Sequence, residues 1–438
     1  MEEKAEIAAA AARVLSGLSP ETRGKALGAM GAGLAEHRGR IVEANRRDLE
    51  AAEEAGLSSA LVKRLRFDEE KLAETRCMLT TLEMQRDPLG RVQEARRLDR
   101  GLVLRRVTCP IGVLAFIFES RPDALIQMVG LSVRSGNALL VKGGREAEHT
   151  NRVLVEILGD AGVQAGLPKG WLAALESRED VRSLLALDSL VDLLIPRGSR
   201  EFVSAVKDST RIPVLGHADG VCHVYLHADA DTDKAVRVVV DSKTQYPAAC
   251  NAAEVLLVHR DAAPRVLPEV VGALERRGVA LELCPESAAI LGERPSRTVK
   301  ADSDWSVEYL DLRMAVRIVD SLETAVDHIN RYGSGHTDCI VTESREAGRT
   351  FLGLVDSSSV FLNASTRFAD GYRYGLGAEV GISTGKIHAR GPMGVEGILT
   401  YKWLLEGEGH TVADFCDGIR RFEHRDLPEE VGGLYGTG

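Results

Sequence analysis

Short apolar segments alternate with helical and polar segments along most of the chain, which predicts an α/β protein. Residues 1 to about 88 are predicted to be helical, because Ser19-Pro20 and Asp68 with two following glutamates are typical first turns of helices. Charged and apolar residues then alternate from about 91 to 108, which predicts a solvent-facing β-hairpin. A helical region and a hairpin therefore precede the first buried strand.

Two series of buried strands and helices follow. The first has apolar strands at 111–118, 138–141 and 191–195, with helices at about 147–160 and 178–187. The second, after about residue 226, is predicted to contain helix 231–243, strand 254–258, helix 262–277, strand 315–319, helix 322–331, strand 338–341 and helix 344–355. Strands separated by helices form parallel sheets with crossover connections, so we expect two α/β domains in series.

Composition narrows the class of protein. The 438 residues are 44% hydrophobic and 27% charged, as in soluble globular proteins, and the formal net charge of −10 argues against nucleic-acid binding. The seven cysteines are dispersed without a CxxC pair or metal-type spacing, which predicts a reducing compartment and no metal site. The N-terminus lacks a signal-peptide pattern, and no apolar run approaches the roughly 20 residues of a membrane span. We therefore expect a cytoplasmic protein without a membrane partner.

Polar loops follow three strands of the first series, at residues 119–122, 142–144 and 196–199. Ligands bind at the carboxyl ends of strands in open parallel sheets, and the first N–H groups of a following helix suit a phosphate. The chain has no GxGxxG motif, so a standard dinucleotide site is not indicated. Three such loops on one sheet nevertheless predict an anion-binding edge.

A second polar cluster covers residues 363–394, which are rich in glycine, hydroxyl groups and cations but contain few aliphatic residues. Such a stretch is either a solvated surface loop or a functional loop, and long ordered loops in compact domains are usually functional. Arg367, Lys386, His388 and Arg390 supply groups that bind phosphate or carboxylate. The cluster is therefore a candidate substrate site.

Cys250 lies on a turn of small residues that precedes the apolar run 255–258. An exposed, positioned cysteine is a candidate nucleophile, since the thiolate attacks carbonyl groups far better than the thiol. A buried structural cysteine is the alternative, and the local sequence does not decide between them.

Taken together, these stretches resemble the γ-glutamyl phosphate reductases (glutamate-5-semialdehyde dehydrogenases) of the aldehyde dehydrogenase superfamily. The similar motifs occur in the family's order at 110–113, 118–122, 135–138, 142–144, 195–199, 247–254, 328–330, 332–337 and 363–394. Residues 216–225 and 246–250 are most similar to the reductase half of bifunctional pyrroline-5-carboxylate synthases. Their kinase half is not in this sequence, so the chain is either a stand-alone reductase or an excised domain.

The resemblance implies NADPH-dependent reduction of L-glutamyl 5-phosphate to L-glutamate 5-semialdehyde with release of phosphate, the second step of proline biosynthesis. Cys250 matches the family nucleophile that forms a thioacyl enzyme, and its backbone N–H is a candidate donor to the oxyanion. The resemblance gives no residue for the 2′-phosphate, so it does not settle NADPH against NADH.

The resemblance also implies the residues that bind the cofactor. Lys142 matches a lysine that contacts the adenosine ribose, and Gly198 and Ser199 match the loop beside the pyrophosphate and nicotinamide. Glu308 falls where a glutamate commonly binds the nicotinamide ribose.

Four further residues are candidates for binding the substrate. Arg121 matches a position near the oxyanion or the departing phosphate, with a role in fixing its own loop as the alternative. Arg367, His388 and Arg390 are candidates for binding the substrate's carboxylate or phosphate.

The stretch 214–220 has no glutamate, whereas hydrolytic aldehyde dehydrogenases have a glutamate base there that activates water. Phosphate needs no such base to attack a thioacyl group, so its absence favours an acyl-phosphate enzyme over a hydrolytic one. His217 or Asp219 remains an alternative base. A third, non-enzymatic hypothesis is a partner of a separate glutamate kinase.

The implied fold is aldehyde dehydrogenase-like, with two Rossmann-like parallel-sheet domains and an oligomerisation β-hairpin. We expect an NADPH-binding domain at 1–90 and 109–226, and a catalytic domain at 227–393. We expect oligomerisation elements at 91–108 and 394–415, and a C-terminal tail at 416–438. The expected partners are a further copy of the chain, in a dimer or larger homo-oligomer, and a glutamate 5-kinase.

Overall fold

The computed structural model describes residues 1–216, 219–292, 294–299 and 304–428. Within this part of the chain, contacts define two compact units: residues 1–215, 376–380 and 393–428 form the first, and residues 216–375 and 381–392 form the second. Among the described helices, none is both long enough and apolar enough to cross a bilayer.

The first unit opens with helices and a hairpin, as predicted. These elements are α1 (Glu2–Leu15), α2 (Pro20–Glu36), α3 (Arg38–Glu54), α4 (Ser59–Leu65), α5 (Glu69–Met84), β1 (Val92–Asp99) and β2 (Leu102–Pro110). The Ser19 hydroxyl accepts a hydrogen bond from the Thr22 N–H, and the Asp68 carboxylate accepts one from the Lys71 N–H. Both predicted helix starts are therefore capped by their own side chains.

A parallel four-stranded sheet with the strand order β5-β4-β3-β6 follows in the first unit. Its elements are β3 (Val113–Phe118), α6 (Pro122–Arg134), β4 (Ala138–Gly143), α7 (Glu148–Gln164), β5 (Leu172–Ala174), α8 (Arg178–Leu184), β6 (Leu193–Arg197) and α9 (Arg200–Asp208). All six residues of β3 are buried, because this central strand is covered on both faces.

The second unit contains a seven-stranded parallel sheet with the order β10-β9-β11-β8-β7-β12-β13. Its elements are β7 (Cys222–Leu226), α10 (Thr232–Thr244), β8 (Ala253–His259), α11 (Ala263–Arg276), β9 (Ala280–Leu283), α12 (Pro285–Leu291), β10 (Arg297–Val299), β11 (Arg313–Val319), α13 (Leu322–Tyr332), β12 (Thr337–Val341), α14 (Arg345–Leu354), β13 (Ser359–Leu362) and β14 (Gly381–Ser383). Every predicted strand and helix of this series is present.

The boundary between the two units differs from the one that we predicted. We assigned residues up to 226 to the first domain, but the described residues from 216 onward fall in the second unit. The reason is β7, which the sequence pattern did not reveal and which pairs with β8 and β12 of the second sheet.

The hairpin of β1 and β2 is the centre of a four-stranded antiparallel sheet with the order β16-β2-β1-β17. The remaining elements are β15 (Gly391–Met393), β16 (Leu399–Glu406), α15 (Val412–Cys416) and β17 (Arg425–Asp426). β17 lies in the predicted tail of residues 416–438, so part of that tail belongs to this sheet. The Arg96 guanidinium of β1 forms an ion pair with the Asp426 carboxylate of β17 at 2.8 Å. Residues 429–438 of that tail lie outside the described part of the chain.

Buried polar side chains of α3 join the N-terminal helices to the helix that follows β4. The Asp48 carboxylate accepts hydrogen bonds from the His149 N–H at 3.0 Å, the Thr150 N–H at 2.8 Å and the Thr150 hydroxyl at 2.6 Å. It therefore caps the first turn of α7 from outside that helix, where negative charge is favoured by the helix dipole. Asn45 adds a bond to the Thr150 hydroxyl at 3.2 Å.

We expect Asp48→Ala to destabilise the protein by about 1–3 kcal/mol, because it leaves buried N–H donors without an acceptor. The measurement is the thermal unfolding midpoint. Asp160→Ala on the exposed face of the same helix is the control, since none of the hydrogen bonds described for this structure involves Asp160. Equal midpoints for the two variants would show that the Asp48 cap contributes nothing.

Candidate active site

The carboxyl ends of β3, β4 and β6 meet at one edge of the first sheet. The Glu119 N–H donates to the Arg197 carbonyl at 3.1 Å, and the Ser199 N–H donates to the Glu119 carboxylate at 3.2 Å. The Ser120 N–H and hydroxyl both donate to Glu146, which follows β4, at 2.7 Å. The 119–122 loop is thus bonded to the 196–199 loop and to Glu146, in the segment that directly follows the 142–144 loop.

Lys142, Gly198 and Ser199, the predicted cofactor residues of the first unit, all lie at this edge. Lys142 is half-buried, its Nζ donates to the Gly143 carbonyl at 2.7 Å, and burial lowers its pKa. The Ser199 hydroxyl caps α9. The edge therefore carries a cation and the N-terminus of a helix, which are groups that bind phosphate.

The polar atoms of Asn151 also lie at this edge. Both its Nδ2 and its Oδ1 are buried without a hydrogen-bond partner among the described residues. A methyl group at Gly143 would come within 3.0 Å of the Asn151 Cγ, so glycine is what allows the two to pack. Because buried polar groups are nearly always hydrogen-bonded, the unpaired amide of Asn151 is a candidate contact for a polar ligand beside this loop.

Arg121 stands at the N-cap of α6, and its carbonyl accepts a hydrogen bond from the Ala124 N–H. Its guanidinium makes no hydrogen bond or ion pair with any described residue. No contact among the described residues therefore supports the alternative that the Arg121 side chain fixes its own loop.

Cys250 lies in the second unit, on the turn that joins α10 to β8, and is half-buried. Its backbone N–H has no acceptor among the described residues, whereas its carbonyl accepts a hydrogen bond from the Cys222 thiol at 3.3 Å. A half-buried thiol beside an unused N–H donor is an arrangement suited to acyl transfer, because the donor can stabilise an oxyanion.

Gly220 packs directly against the backbone of this turn. A methyl group at Gly220 would lie 2.6 Å from the Cys250 Cα, closer than real Cβ atoms approach. The absence of a side chain at residue 220 therefore allows the Cys250 turn to take this position.

A buried ion pair closes the two ends of the same turn. The Lys243 Nζ, in the last turn of α10, donates to the Glu254 carboxylate of β8 at 2.6 Å, and both side chains are 0% exposed. Burial raises the pKa of Glu254 to about 7 and lowers that of Lys243, and the charge of each residue opposes the shift of the other. The other Glu254 oxygen accepts from the Leu310 N–H at 3.4 Å.

Arg367 brings a second charge to the Cys250 turn. Its Nε donates to the Gln245 side chain at 2.9 Å, and its guanidinium lies 6.0 Å from the centre of the Tyr246 ring. Its two terminal nitrogens have no partner among the described residues, although Arg367 is only 8% exposed. Burial lowers its pKa, and a thiolate at Cys250 acts in the opposite direction.

The other predicted substrate residues have different surroundings. Arg390 donates to the Asp356 carboxylate at 3.1 Å and to its carbonyl at 2.8 Å, and Lys386 pairs with the same carboxylate. His388 is exposed. Arg390 therefore has a carboxylate partner already, unlike Arg367.

Glu308 is partly exposed and lies two residues before Leu310, whose N–H donates to Glu254. The structure thus links the segment that carries the predicted Glu308 to Glu254 at the start of β8. Of the alternative bases, His217 lies outside the described residues, and Asp219 directly precedes Gly220.

Comparison with known proteins identifies the family and the fold. The model of the aldehyde dehydrogenase family matches residues 1–286. The chain is 49% identical over 416 residues to the γ-glutamyl phosphate reductase of Acetivibrio thermocellus, covering 95% of this chain and 96% of that one. It is also 49% identical over 432 residues to the reductase of Pelotomaculum thermopropionicum, covering 99% of each chain.

A solved structure is similar over nearly the same length. The crystal structure of γ-glutamyl phosphate reductase from Thermotoga maritima superposes with a TM-score of 0.90 at 37% identity, covering 93% of this chain and 99% of that chain. The chain therefore belongs to the aldehyde dehydrogenase family and, within it, to the γ-glutamyl phosphate reductases. The predicted fold class, family and oxidoreductase class are confirmed by these matches.

Sequence reasoning missed three residues that shape the site. Gly220 and Glu254 were noticed only as parts of motifs, and Asn151 was not noticed at all. Glu254 had a visible signal, since it is a lone carboxylate at the start of an otherwise apolar strand. Gly220 and Asn151 had no such signal in the sequence. Their contacts, with Cys250 and Gly143 respectively, become visible only in the structure.

We expect Gly220→Ala to lower kcat by on the order of 100-fold, because the methyl group would displace the Cys250 backbone. The measurement is steady-state turnover together with the thermal midpoint. Gly353→Ala, in α14 of the same unit, is the control, since a methyl group there meets no atom within 4 Å. Turnover within threefold of wild type in Gly220→Ala would show that the turn adapts to the added group.

Proposed function

We propose that the chain reduces L-glutamyl 5-phosphate to L-glutamate 5-semialdehyde with NADPH, through a thioacyl enzyme on Cys250. Its relatives are named γ-glutamyl phosphate reductases, which supports the substrate and the reduction, and the reaction would be the second step of proline biosynthesis. The observation that carries the proposal is the half-buried Cys250 beside an unused N–H donor and an arginine without an anionic partner.

The chemical steps follow from these groups. The Cys250 thiolate attacks the acyl carbon, the oxyanion is stabilised by the Cys250 N–H, and the C–O bond to phosphate breaks to release phosphate. Arg367 offers its two terminal nitrogens to an anionic group of the substrate, and we propose Arg121 for the oxyanion or the departing phosphate. After reduction, the C–S bond breaks, and the aldehyde and the thiolate are released.

The first unit supplies groups that fit a nicotinamide dinucleotide, which when bound provides the hydride. Lys142 and the edge formed by Gly198 and Ser199 offer donors for ribose and phosphate oxygens, and the unsatisfied amide of Asn151 supports a polar ligand there. We propose Glu308, in the second unit, for the nicotinamide ribose. On this view the first unit is the NADPH-binding domain and the second is the catalytic domain.

A hydrolytic aldehyde dehydrogenase is the competing function. Glu254 is the glutamate that follows Cys250 most closely in sequence, but it is fully buried and both of its oxygens accept hydrogen bonds. The Glu254 carboxylate therefore has no access to a water molecule that it could activate. This supports phosphate, and not water, as the group that attacks the thioacyl enzyme in the oxidative direction. His388 and Arg390 stay candidates for the substrate's carboxylate or phosphate.

We further propose that the chain forms a homo-oligomer through the sheet of β16, β2, β1 and β17. Tyr401, Trp403 and Leu405 alternate along β16 and are 51%, 47% and 57% exposed. Aromatic and aliphatic residues repeated at every second position on an exposed sheet face are typical of a surface that another chain covers. A glutamate 5-kinase is the other partner that we propose.

We expect oxidation of glutamate 5-semialdehyde to require phosphate, to proceed faster with NADP than with NAD, and to fall at least about 10³-fold in Cys250→Ala. The measurement is nicotinamide absorbance with and without phosphate, using both cofactors. Cys339→Ala, a buried cysteine of β12, is the matched control. Turnover that is indifferent to phosphate would support the hydrolytic function instead.

We expect Arg367→Met to raise KM for one of the two substrates, phosphate or the semialdehyde with its carboxylate, by roughly 10- to 100-fold, because a charged hydrogen bond contributes about 1.5–3 kcal/mol. Phosphate and semialdehyde are titrated separately, so the one whose KM rises is the ligand of Arg367. Arg349→Met, an exposed arginine of α14, is the control. If neither KM changes more than twofold, Arg367 does not bind substrate.

A further inference from the structure

The Glu254 carboxylate lies between two segments to which the proposed function assigns chemical groups. One oxygen accepts from the Lys243 Nζ at 2.6 Å, and the other accepts from the Leu310 N–H at 3.4 Å. The Cys250 turn lies between Lys243 and Glu254, and Glu308 stands two residues before Leu310. A single side chain therefore contacts both the end of the nucleophile turn and the segment of the proposed cofactor glutamate.

We propose that Glu254 is a positioning residue of the reaction. Its bond to Lys243 fixes the ends of the Cys250 turn, and its bond to the Leu310 N–H fixes the segment that carries Glu308. This inference rests on the proposed function, which makes Cys250 the nucleophile and Glu308 a cofactor ligand. Glu254 itself touches neither substrate nor cofactor, because its side chain is fully buried.

The backbone of Leu310 has an unfavourable conformation that other contacts must hold. Leu310 has φ +54°, in the left-handed region that a leucine rarely adopts, and its side chain is 46% exposed. Its own side-chain packing therefore does little to hold this conformation. The bond from its N–H to Glu254 is one support, and the bond from the Tyr309 hydroxyl to Glu282 of β9 at 2.9 Å is another.

The presence of an ion pair at Lys243 and Glu254, where an apolar pair could stand, also supports a positioning role for Glu254. Burying two charges costs several kcal/mol for each ion, and a well-packed apolar pair of similar volume is often as stable. A carboxylate, unlike an apolar side chain, can accept from two donors in fixed directions at once. The pair at Lys243 and Glu254 uses both acceptor oxygens, which an apolar replacement cannot reproduce.

Two double variants separate the two contacts. Lys243→Met/Glu254→Gln removes the ion pair but keeps a side-chain oxygen that can accept from the Leu310 N–H. Lys243→Met/Glu254→Leu removes both contacts. The control is Arg297→Met/Glu275→Gln, which breaks another largely buried pair of the second unit, at 2.8 Å.

We expect kcat to fall in both Lys243 double variants by on the order of 10- to 100-fold, because the nucleophile turn loses its fixed ends. The cofactor KM should stay within twofold of wild type in the glutamine variant and rise about tenfold in the leucine variant. The control should lower the thermal midpoint while leaving kcat and the cofactor KM within twofold. A purely structural ion pair would instead lower the thermal midpoint, and lower the apparent kcat only in proportion to the loss of folded protein, with the cofactor KM unchanged in both variants.

Alkylation of Cys250 by iodoacetamide, followed on its peptide by mass spectrometry, provides a readout that needs neither substrate nor cofactor. We expect the rate constant in both Lys243 variants to differ at least threefold from that of the wild type. Wild-type rate constants in both variants, or an unchanged cofactor KM in the leucine variant, would overturn the inference. Failure of the wild type to require phosphate would overturn the proposed function alone, since the alkylation result stands without it.

Discussion

The buried ion pair of Lys243 and Glu254 joins the two ends of the Cys250 turn in the second unit. The two residues are 11 positions apart in sequence, and the whole Cys250 turn lies between them. Because both side chains are withdrawn from water, each charge is tolerable only while the other is present. The turn is also held by the close approach of Gly220 and by the Asn251 side-chain amide, which donates to the Ala369 carbonyl at 2.8 Å.

The candidate functional residues follow the carboxyl ends of the strands in the first parallel sheet, but precede the amino end of a strand in the second. In the first sheet, Lys142 and Ser199 follow the carboxyl ends of their strands, as is usual for open α/β sheets. In the second, Cys250 precedes β8 and so lies at the amino end of its strand. The first end offers helix N-termini and loop amides for a phosphate-bearing ligand. The second offers a turn whose backbone N–H is unused.

Strands that contain an uninterrupted apolar run were predictable from sequence even where a buried polar residue precedes the run, as in β8 and β12, whereas β7 was not. The strand predicted at 254–258 matches β8 to within a residue at each end, because the short apolar run 255–258 is typical of a buried strand. β7 was missed because His223 makes it look half-solvated. In the structure, His223 Nδ1 lies 2.9 Å from the Asp338 carboxylate, a partner 115 residues away. Similarly, the positive charge of Arg390 was visible in the sequence, but its pairing with Asp356 was not.

The contacts of Glu254 differ in how far they reach along the chain, and this bears on the order in which the site assembles during folding. The contact with Lys243 spans 11 residues, but the contact with Leu310 spans 56. Short loops close with a smaller loss of entropy than long ones, so local contacts tend to form earlier. The two ends of the Cys250 turn can therefore be joined by α10 and β8 alone. The contact with Leu310 closes a longer loop that includes β9, so on this entropic argument the segment that carries Glu308, the proposed cofactor ligand, joins later.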